Sequence, residues 1–348
     1  MIWQIYPISR FPDFHNVWDD LIAKVIPVPF LESGFLQPLL DEFASGNEIL
    51  AISGTGTNIQ AATILCRARL GIWQTFQPSQ LPLGPWIAQP GCDLIALTQS
   101  LIKALPGFAL GVGITQIDPN LVTRPPATVG TNTLDYIDTA WVDVEGDFDT
   151  YWNARGKNLR TNVRKQRTKL ETDGVAATLE CIVQPEQIAA AMSDYGILEN
   201  AGWKAEGRTA IHPDNAQGRF YRKMLETFCA EGRGRIYRYR FDDKTVAMDL
   251  CVQAGDTIVI LKTAYDETYK SLSPSTLQRY EQFKQIFEAR NLRRIEFYGK
   301  ILEWHTRWTH NARTLYHANI FRWQVLAQIH QWRTKPKQDQ SMVSASLS

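Results

Sequence analysis

A chain of 348 residues exceeds a typical single core and reads as two domains of roughly 150 residues each. With 37 Lys and Arg against 36 Asp and Glu, the net charge of +1 selects neither a nucleic-acid nor a membrane partner, although a local patch can hide under a neutral total. The five cysteines are scattered without a CxxC pair, which points to a reducing compartment and not to a disulfide scaffold. Cys66, Cys181, Cys229 and Cys251 sit among apolar neighbours as candidate core residues, and Cys92 sits in a Pro-Gly turn. The N-terminal MIWQIYPISRFPDF has no basic segment before an apolar run, and no stretch approaches about 18 uninterrupted apolar residues. The expectation is a cytoplasmic protein without a membrane span.

In chain order, Ser33 is expected to cap a helix over 33–45 that presents Phe35, Leu39, Leu40 and Phe43 on one face. Apolar runs 47–53 and 59–70 predict strands around the 54–57 turn, and the Pro- and Gly-rich stretch 76–91 predicts a long connection. A helix over 93–105 and strands over 108–117 and 133–144 complete the first half, residues 1–147. Residues 147–172 predict one long helix at the junction, capped by Asp147, with Leu159, Val163 and Leu170 on an apolar stripe. Lys157, Arg160, Arg164 and Arg167 fall within an arc of roughly 80° beside that stripe, with no acid between Asp149 and Glu171. Such a stripe is either a solvated face or a seat for an anionic partner.

The second half, residues 148–333, predicts strand 175–183, helices 185–200 and 213–231, and strands 234–241, 245–253 and 257–265. Helix 274–290, strand 293–298 and a strand and helix over 313–333 follow, and the polar tail 334–348 predicts disorder. The best-organised segment is 245–299, where a hairpin strand runs through DETYKSLSPSTL into a helix. There Ser273 is placed as N-cap, Pro274 at the first helical position, and Ser275 and Thr276 behind them. Small polar residues at a helix start can cradle a phosphate through backbone donors and the helix dipole, and they can equally be a well-capped helix and nothing more. Asp249 stands inside the apolar run AMDLCV, where a carboxylate needs either a pocket or a neighbouring Lys or Arg. The spacing of His305, His310 and His317 fits no zinc pattern, so no metal is expected.

Residues 150–308 resemble the GNAT acyltransferase superfamily, specifically its CelD-like branch named for cellulose biosynthesis, which is related to the Fem-type peptidyl transferases. The resemblance rests on the basic helix KNLRTNVRKQRTKLETDG, on Gly202-Trp203-Lys204, on LKTAYDETYKSLSPSTL, and on RRIEFYG followed by WHTRW. The first half, through SGFLQPLLDEFAS and FQPSQLPLG, resembles the family's N-terminal region less sharply. The implied fold is α/β (α+β), with two tandem GNAT-like domains, each a mixed, mostly antiparallel sheet flanked by helices.

The resemblance implies an acyl-CoA co-substrate, with Lys262, Thr263 and Ala264 on the strand and Lys270, Ser271, Ser273, Ser275 and Thr276 at the helix start holding it. The usual pyrophosphate loop is basic and glycine-rich, whereas Tyr269 to Ser275 contains no glycine. Trp304-His305 stands where the family often has Tyr-Lys, and Glu296 where Asp is common. Direct transfer to an acceptor amine is implied, with oxyanion donors from strand 258–265. His305, Glu296 or Asp249 is the candidate base, and Tyr265 or Tyr298 the candidate acid toward the leaving thiolate. Arg160, Arg164, Trp203, Lys204, Tyr298 and Trp304 are the expected acceptor-binding residues, and Trp203, Trp304 and Trp308 are expected to ring the cleft.

The leading expectation is an acyltransferase acting on a small-molecule or nucleotide-sugar-linked precursor of a surface polymer, within or beside a polysaccharide-synthesis assembly. A Fem-like aminoacyl-tRNA-dependent transferase and a non-catalytic binding module are the alternatives. A plain nucleic-acid-binding role, DNA included, is least supported, because the basic residues are confined to one helix and the net charge is near zero.

Overall fold

A computed structural model describes residues 2–25, 28–56, 58–126, 131–200 and 211–328 of the chain. The first half runs β1 (Trp3–Pro7), α1 (His15–Ala23), α2 (Ser33–Phe43), β2 (Ile49–Thr55), β3 (Asn58–Arg69), β4 (Ile72–Thr75), β5 (Trp86–Ala88), α3 (Leu94–Ala104), β6 (Gly111–Ile117) and β7 (Thr131–Asp143). The second continues with α4 (Phe148–Asn153), α5 (Lys157–Thr172), β8 (Ala177–Ile182), α6 (Pro185–Asn200), α7 (Ala216–Ala230), β9 (Gly234–Phe241), β10 (Lys244–Ala254) and β11 (Thr257–Tyr265). It ends with α8 (Pro274–Ala289), β12 (Arg294–Glu296), α9 (Glu303–Thr306) and β13 (Ala312–Phe321).

The strands form one continuous sheet in the order β1-β2-β3-β4-β6-β13-β7-β12-β11-β10-β9-β8, with β5 paired to β3. Parallel pairing occurs, among the described residues, at β4–β6 and at β11–β12, and the remaining pairs are antiparallel. Each half therefore contains a strand, a helix and a second strand parallel to the first, set in a mostly antiparallel sheet flanked by helices. The last strand, β13, lies between β6 and β7, so the end of the second half's sequence is built into the first half's sheet.

The halves are also joined by their cores. Phe35 and Leu39 of α2 pack with Phe220 and Phe228 of α7, and the Phe35 and Phe220 rings meet edge to face at 5.2 Å. A second core, from α5 and α8 against β9–β11, buries Leu159, Val163, Leu277 and Phe283 and supports the site described below. Full burial of each such side chain contributes about 1.5–3 kcal/mol.

Several expected elements differ in detail. Ser33 does not cap α2; its N–H and hydroxyl both donate to the Asp19 carboxylate. The connection 76–91 contains a strand, β5. The helix expected over 147–172 is two helices, because Gly156 takes an extended ψ of 140° between them. Asp147 does cap α4, accepting from the Thr150 N–H at 2.7 Å. Of the four candidate core cysteines, Cys229 and Cys251 are buried, Cys66 is half-buried, and Cys181 is exposed on the terminal strand of the sheet. No described helix is long and apolar enough to cross a membrane. The tail 334–348 and the Trp203-Lys204 loop lie outside the described residues.

Candidate active site

Strand β12 runs beside β11 for three residue pairs and then leaves it. Thr257 faces Arg294, Ile258 faces Ile295 and Val259 faces Glu296. After Glu296 the chain turns toward β7, where Phe297 N–H donates to Ala140 O at 3.2 Å and Ile301 N–H to Asp138 O at 2.9 Å. Tyr298 makes this turn with φ of 49°, a left-handed conformation that costs a non-glycine residue roughly 1–2 kcal/mol. Strand β11 continues to Tyr265 paired with β10.

Strand β11 also carries an extra residue, Leu261, since Leu250 of β10 faces Lys262 while Cys251 faces Ile260. This bulge reverses which side chains face α8. Ile258 and Ile260 belong to the core under α8. Beyond the bulge, Thr263 and Tyr265 take that side, while Ala264 joins the other core and Lys262 lies over the Tyr221 ring at 5.8 Å.

A cleft of about 390 Å³ lies at the start of α8, beside the end of β11 that β12 has left. Among the residues singled out in the sequence, Thr263, Tyr265, Lys270, Ser273, Ser275, Thr276 and Trp304 line it, and Leu159, Arg279, Arg307 and Trp308 complete its walls. Ser273 occupies the N-cap position but does not cap through its side chain; its φ of 54° places it in the left-handed region, and its Oγ accepts from Asn162 at 3.3 Å. The turn a glycine would make at low cost is thus made by serine. The positive end of the α8 dipole faces a cleft that already holds Lys270 and Arg307, a combination that favours anions. Ser271 lies on the exposed preceding turn and is absent from the cleft wall.

Behind the cleft, Asp249 is fully buried and pairs with Arg279 of α8, Nη1 to Oδ2 at 3.1 Å. Burial pushes the Asp249 carboxyl above its usual range, and the Arg279 charge and hydrogen bonds from Thr263 and Gln282 oppose that shift. The guanidinium lies 5.0 Å from the Trp304 ring centroid, and Trp304 stacks on His305 at 3.5 Å. His305 is itself buried, and its Nδ1 accepts the Leu302 N–H at 2.9 Å. Burial, reinforced by the Arg279 charge, lowers its pKa to about 4. The imidazole is therefore neutral near pH 7 with its proton on Nε2, where it is a donor.

Glu296 and Tyr298 lie in a second cavity of about 340 Å³, between the halves. Arg313 of β13 bridges the Glu296 carboxylate at 3.0 and 3.1 Å and Asp118 Oδ2 at 2.8 Å, and the Tyr298 hydroxyl donates to Asp118 at 3.1 Å. Trp141 lies against both Arg313 and Arg294 at 5.3 and 5.1 Å. Burial raises the Glu296 pKa from 4.5 to about 7 against the pull of Arg313. Between those values the folded chain binds more protons than the unfolded one. Glu296's contribution is thus fully present below pH 4.5 and is lost, by about 3 kcal/mol, as pH rises to about 7. Denaturant unfolding at about pH 5 and pH 7.5 should show this fall in the native protein and not in Glu296→Gln. Equal slopes in both proteins would refute it.

Arg160 spends its Nε on the Arg155 carbonyl at 3.1 Å, whereas Arg164 is exposed on α5, and neither lines the cleft. Trp203 and Lys204 lie outside the described residues. Sequence reasoning missed Arg279, Arg313, Asp118 and Trp141. Arg279 was legible in principle: it shares the inward stripe of α8 with Gln282, Phe283 and Ile286, so a cation on that face needed a buried partner, and Asp249 was the available one. Asp118 and Arg313 carry no local signal, because the sheet brings them together from positions 195 residues apart.

Residues 157–306 match the acetyltransferase (GNAT) domain family. This stretch, less than half of the chain, is similar to that family. It contains the diverging strands, the helix α8 and all of the cleft wall except Arg307 and Trp308. Over nearly its whole length, the chain is similar to the C-terminal domain (DUF2156) of a protein named as a lysylphosphatidylglycerol synthetase from Agrobacterium fabrum, with a TM-score of 0.58 and 13% identity over 92% of this chain and 95% of that one. It is similar to FemX with a TM-score of 0.58 and 10% identity over 94% and 99% of the two chains. A conserved protein of unknown function from Bacteroides thetaiotaomicron gives 0.51 and 11% over 92% and 100%. No curated protein matches the sequence. At these identities the likeness concerns the fold, a mixed, mostly antiparallel sheet flanked by helices.

Proposed function

We propose that the GNAT cleft takes an acyl-CoA donor and that the protein transfers its acyl group to the nitrogen or oxygen of a sugar-containing or amino-bearing precursor of a surface polymer. The observation that carries this reading is the divergence of β11 from β12 beside an α8 N-terminus that no side chain caps. The helix start with Lys270 and Ser273 would receive the pyrophosphate, and the gap beyond Val259, where β12 has left β11, would receive the pantetheine and thioester. In the transfer, the acceptor nitrogen bonds to the thioester carbonyl carbon, the C–S bond breaks, and CoA leaves as thiol. Glu296 is our candidate for the acceptor's proton, because a carboxyl with a pKa of about 7 exchanges protons near neutrality. Tyr265, on the cleft wall, is our candidate to return a proton to the thiolate. His305 we reassign from base to positioning residue for Trp304, since its Nδ1 is already engaged. Arg160, Arg164, Trp203 and Lys204 remain our candidates on the acceptor side.

An aminoacyl-tRNA-dependent transferase is the second reading. The glycine-free loop and the exposed basic face of α5, with Lys157, Arg164 and Lys165, favour it. A thermal-shift titration separates the two. Saturable stabilisation by acetyl-CoA and free CoA supports the first reading; no shift with either, together with salt-sensitive binding of charged tRNA, supports the second. Within the first reading, Arg164→Ala and Lys204→Ala should weaken acceptor binding more than donor binding. Losses of equal size for both ligands would sink their acceptor assignment.

A further inference from the structure

We propose that the donor cleft is built for an acyl group ending in a carboxylate, with the Arg279 guanidinium as its counter-ion. The inference rests on the acyl-CoA reading and deepens it. Arg279 is 3% exposed, yet it lines the cleft. Its Nη1 is buried without a hydrogen-bond partner: Asp249 Oδ2 is at ion-pair distance, 3.1 Å, but not along a donor direction. Nη2 reaches Oδ1 at 3.4 Å, beyond the usual range for such a bond. A guanidinium offers five N–H donors, so this one retains unused donor capacity beside the cleft it lines.

A second donor in the same cleft is in the same condition, since Ser275 Oγ is buried and unpartnered. An alkyl chain would leave both unmet, whereas a carboxylate can accept from both. The guanidinium is also held in place, with the Trp304, Phe297 and Phe283 ring centroids 5.0, 5.8 and 5.9 Å away. Asp249, which would repel a second carboxylate, is fully buried behind Arg279 and does not reach the cleft. The cations and donors at the helix start, Lys270 and Ser273, are separate from this pair.

Isothermal titration with succinyl-CoA, butyryl-CoA and free CoA tests this, because the two acyl groups have the same number of carbons and differ in a terminal carboxylate or methyl. Succinyl-CoA should bind the native protein at least about tenfold more tightly than butyryl-CoA. In Arg279→Gln the preference should fall to within about twofold, and in Ser275→Ala, which disturbs no buried charge, it should fall by a smaller factor. Equal or tighter binding of butyryl-CoA by the native protein, with free CoA still bound, overturns the proposal whether or not the Arg279 variant folds. Absence of binding by all three ligands, free CoA included, overturns the acyl-CoA reading itself and this inference with it.

Discussion

Asp249→Leu is expected to lose about 3–5 kcal/mol of unfolding free energy, because it leaves the Arg279 guanidinium buried without its carboxylate. Both partners are almost entirely removed from solvent, so neither can recover its hydration by a small movement. The aromatic faces around Arg279 offset part of the loss, on the order of 1–2 kcal/mol, but they supply no hydrogen-bond acceptor. Arg279→Met should cost a similar amount for the converse reason, stranding Asp249 beside Thr263 and Gln282. The double variant Asp249→Leu, Arg279→Met replaces an ion pair by apolar side chains of similar bulk and should be more stable than either single variant. Denaturant midpoints of the four proteins form a double-mutant cycle. Additive losses across it would mean that the pair is not coupled and that each residue matters for packing alone.

The second large effect belongs to Arg313→Met. Arg313 is the cation shared by Asp118 and Glu296, which are 1% and 3% exposed, and Arg294 approaches Glu296 no nearer than 3.7 Å. Removing it brings two carboxylates together in a buried cavity, for a loss of about 3–5 kcal/mol near neutral pH. The loss should shrink toward pH 5, because Glu296 then takes a proton and the repulsion disappears. Since β13 carries Arg313 into the first half's sheet, the variant should also loosen that strand. Amide exchange of β13 residues such as Leu315 and Ala318 should accelerate more than that of β10. A loss that does not vary between about pH 5 and pH 7.5 would remove Glu296 from this account.

Much of the layout was legible before the structure. Helical stripes such as Leu159, Val163 and Leu170, and the strand-turn-strand pattern over 245–265, are local and depend on period and turn chemistry. The helix start at Pro274 was equally clear, and so was the oddity of Asp249. The residue-level site was read less well. The expectation that Lys262, Thr263 and Ala264 contribute together treats β11 as a regular strand, and the extra residue at Leu261 puts Thr263 on the cleft side and its two neighbours on the other. Glu296 and His305 were read as members of one constellation. The divergence at Glu296 places it in the cavity between the halves, while His305 stacks behind Trp304 beside the α8 cleft.

What the amino-acid sequence determined by itself was the order of elements, the faces they bury and the resemblance of residues 150–308 to a known superfamily, because each follows from neighbours a few residues apart. The tertiary structure decided where β12 leaves β11, which side chains of β11 face α8, and that β13 carries Arg313 to Asp118. Those outcomes follow from how the strands compete for backbone partners and how buried charges find counter-ions, and both are settled between residues far apart in the chain.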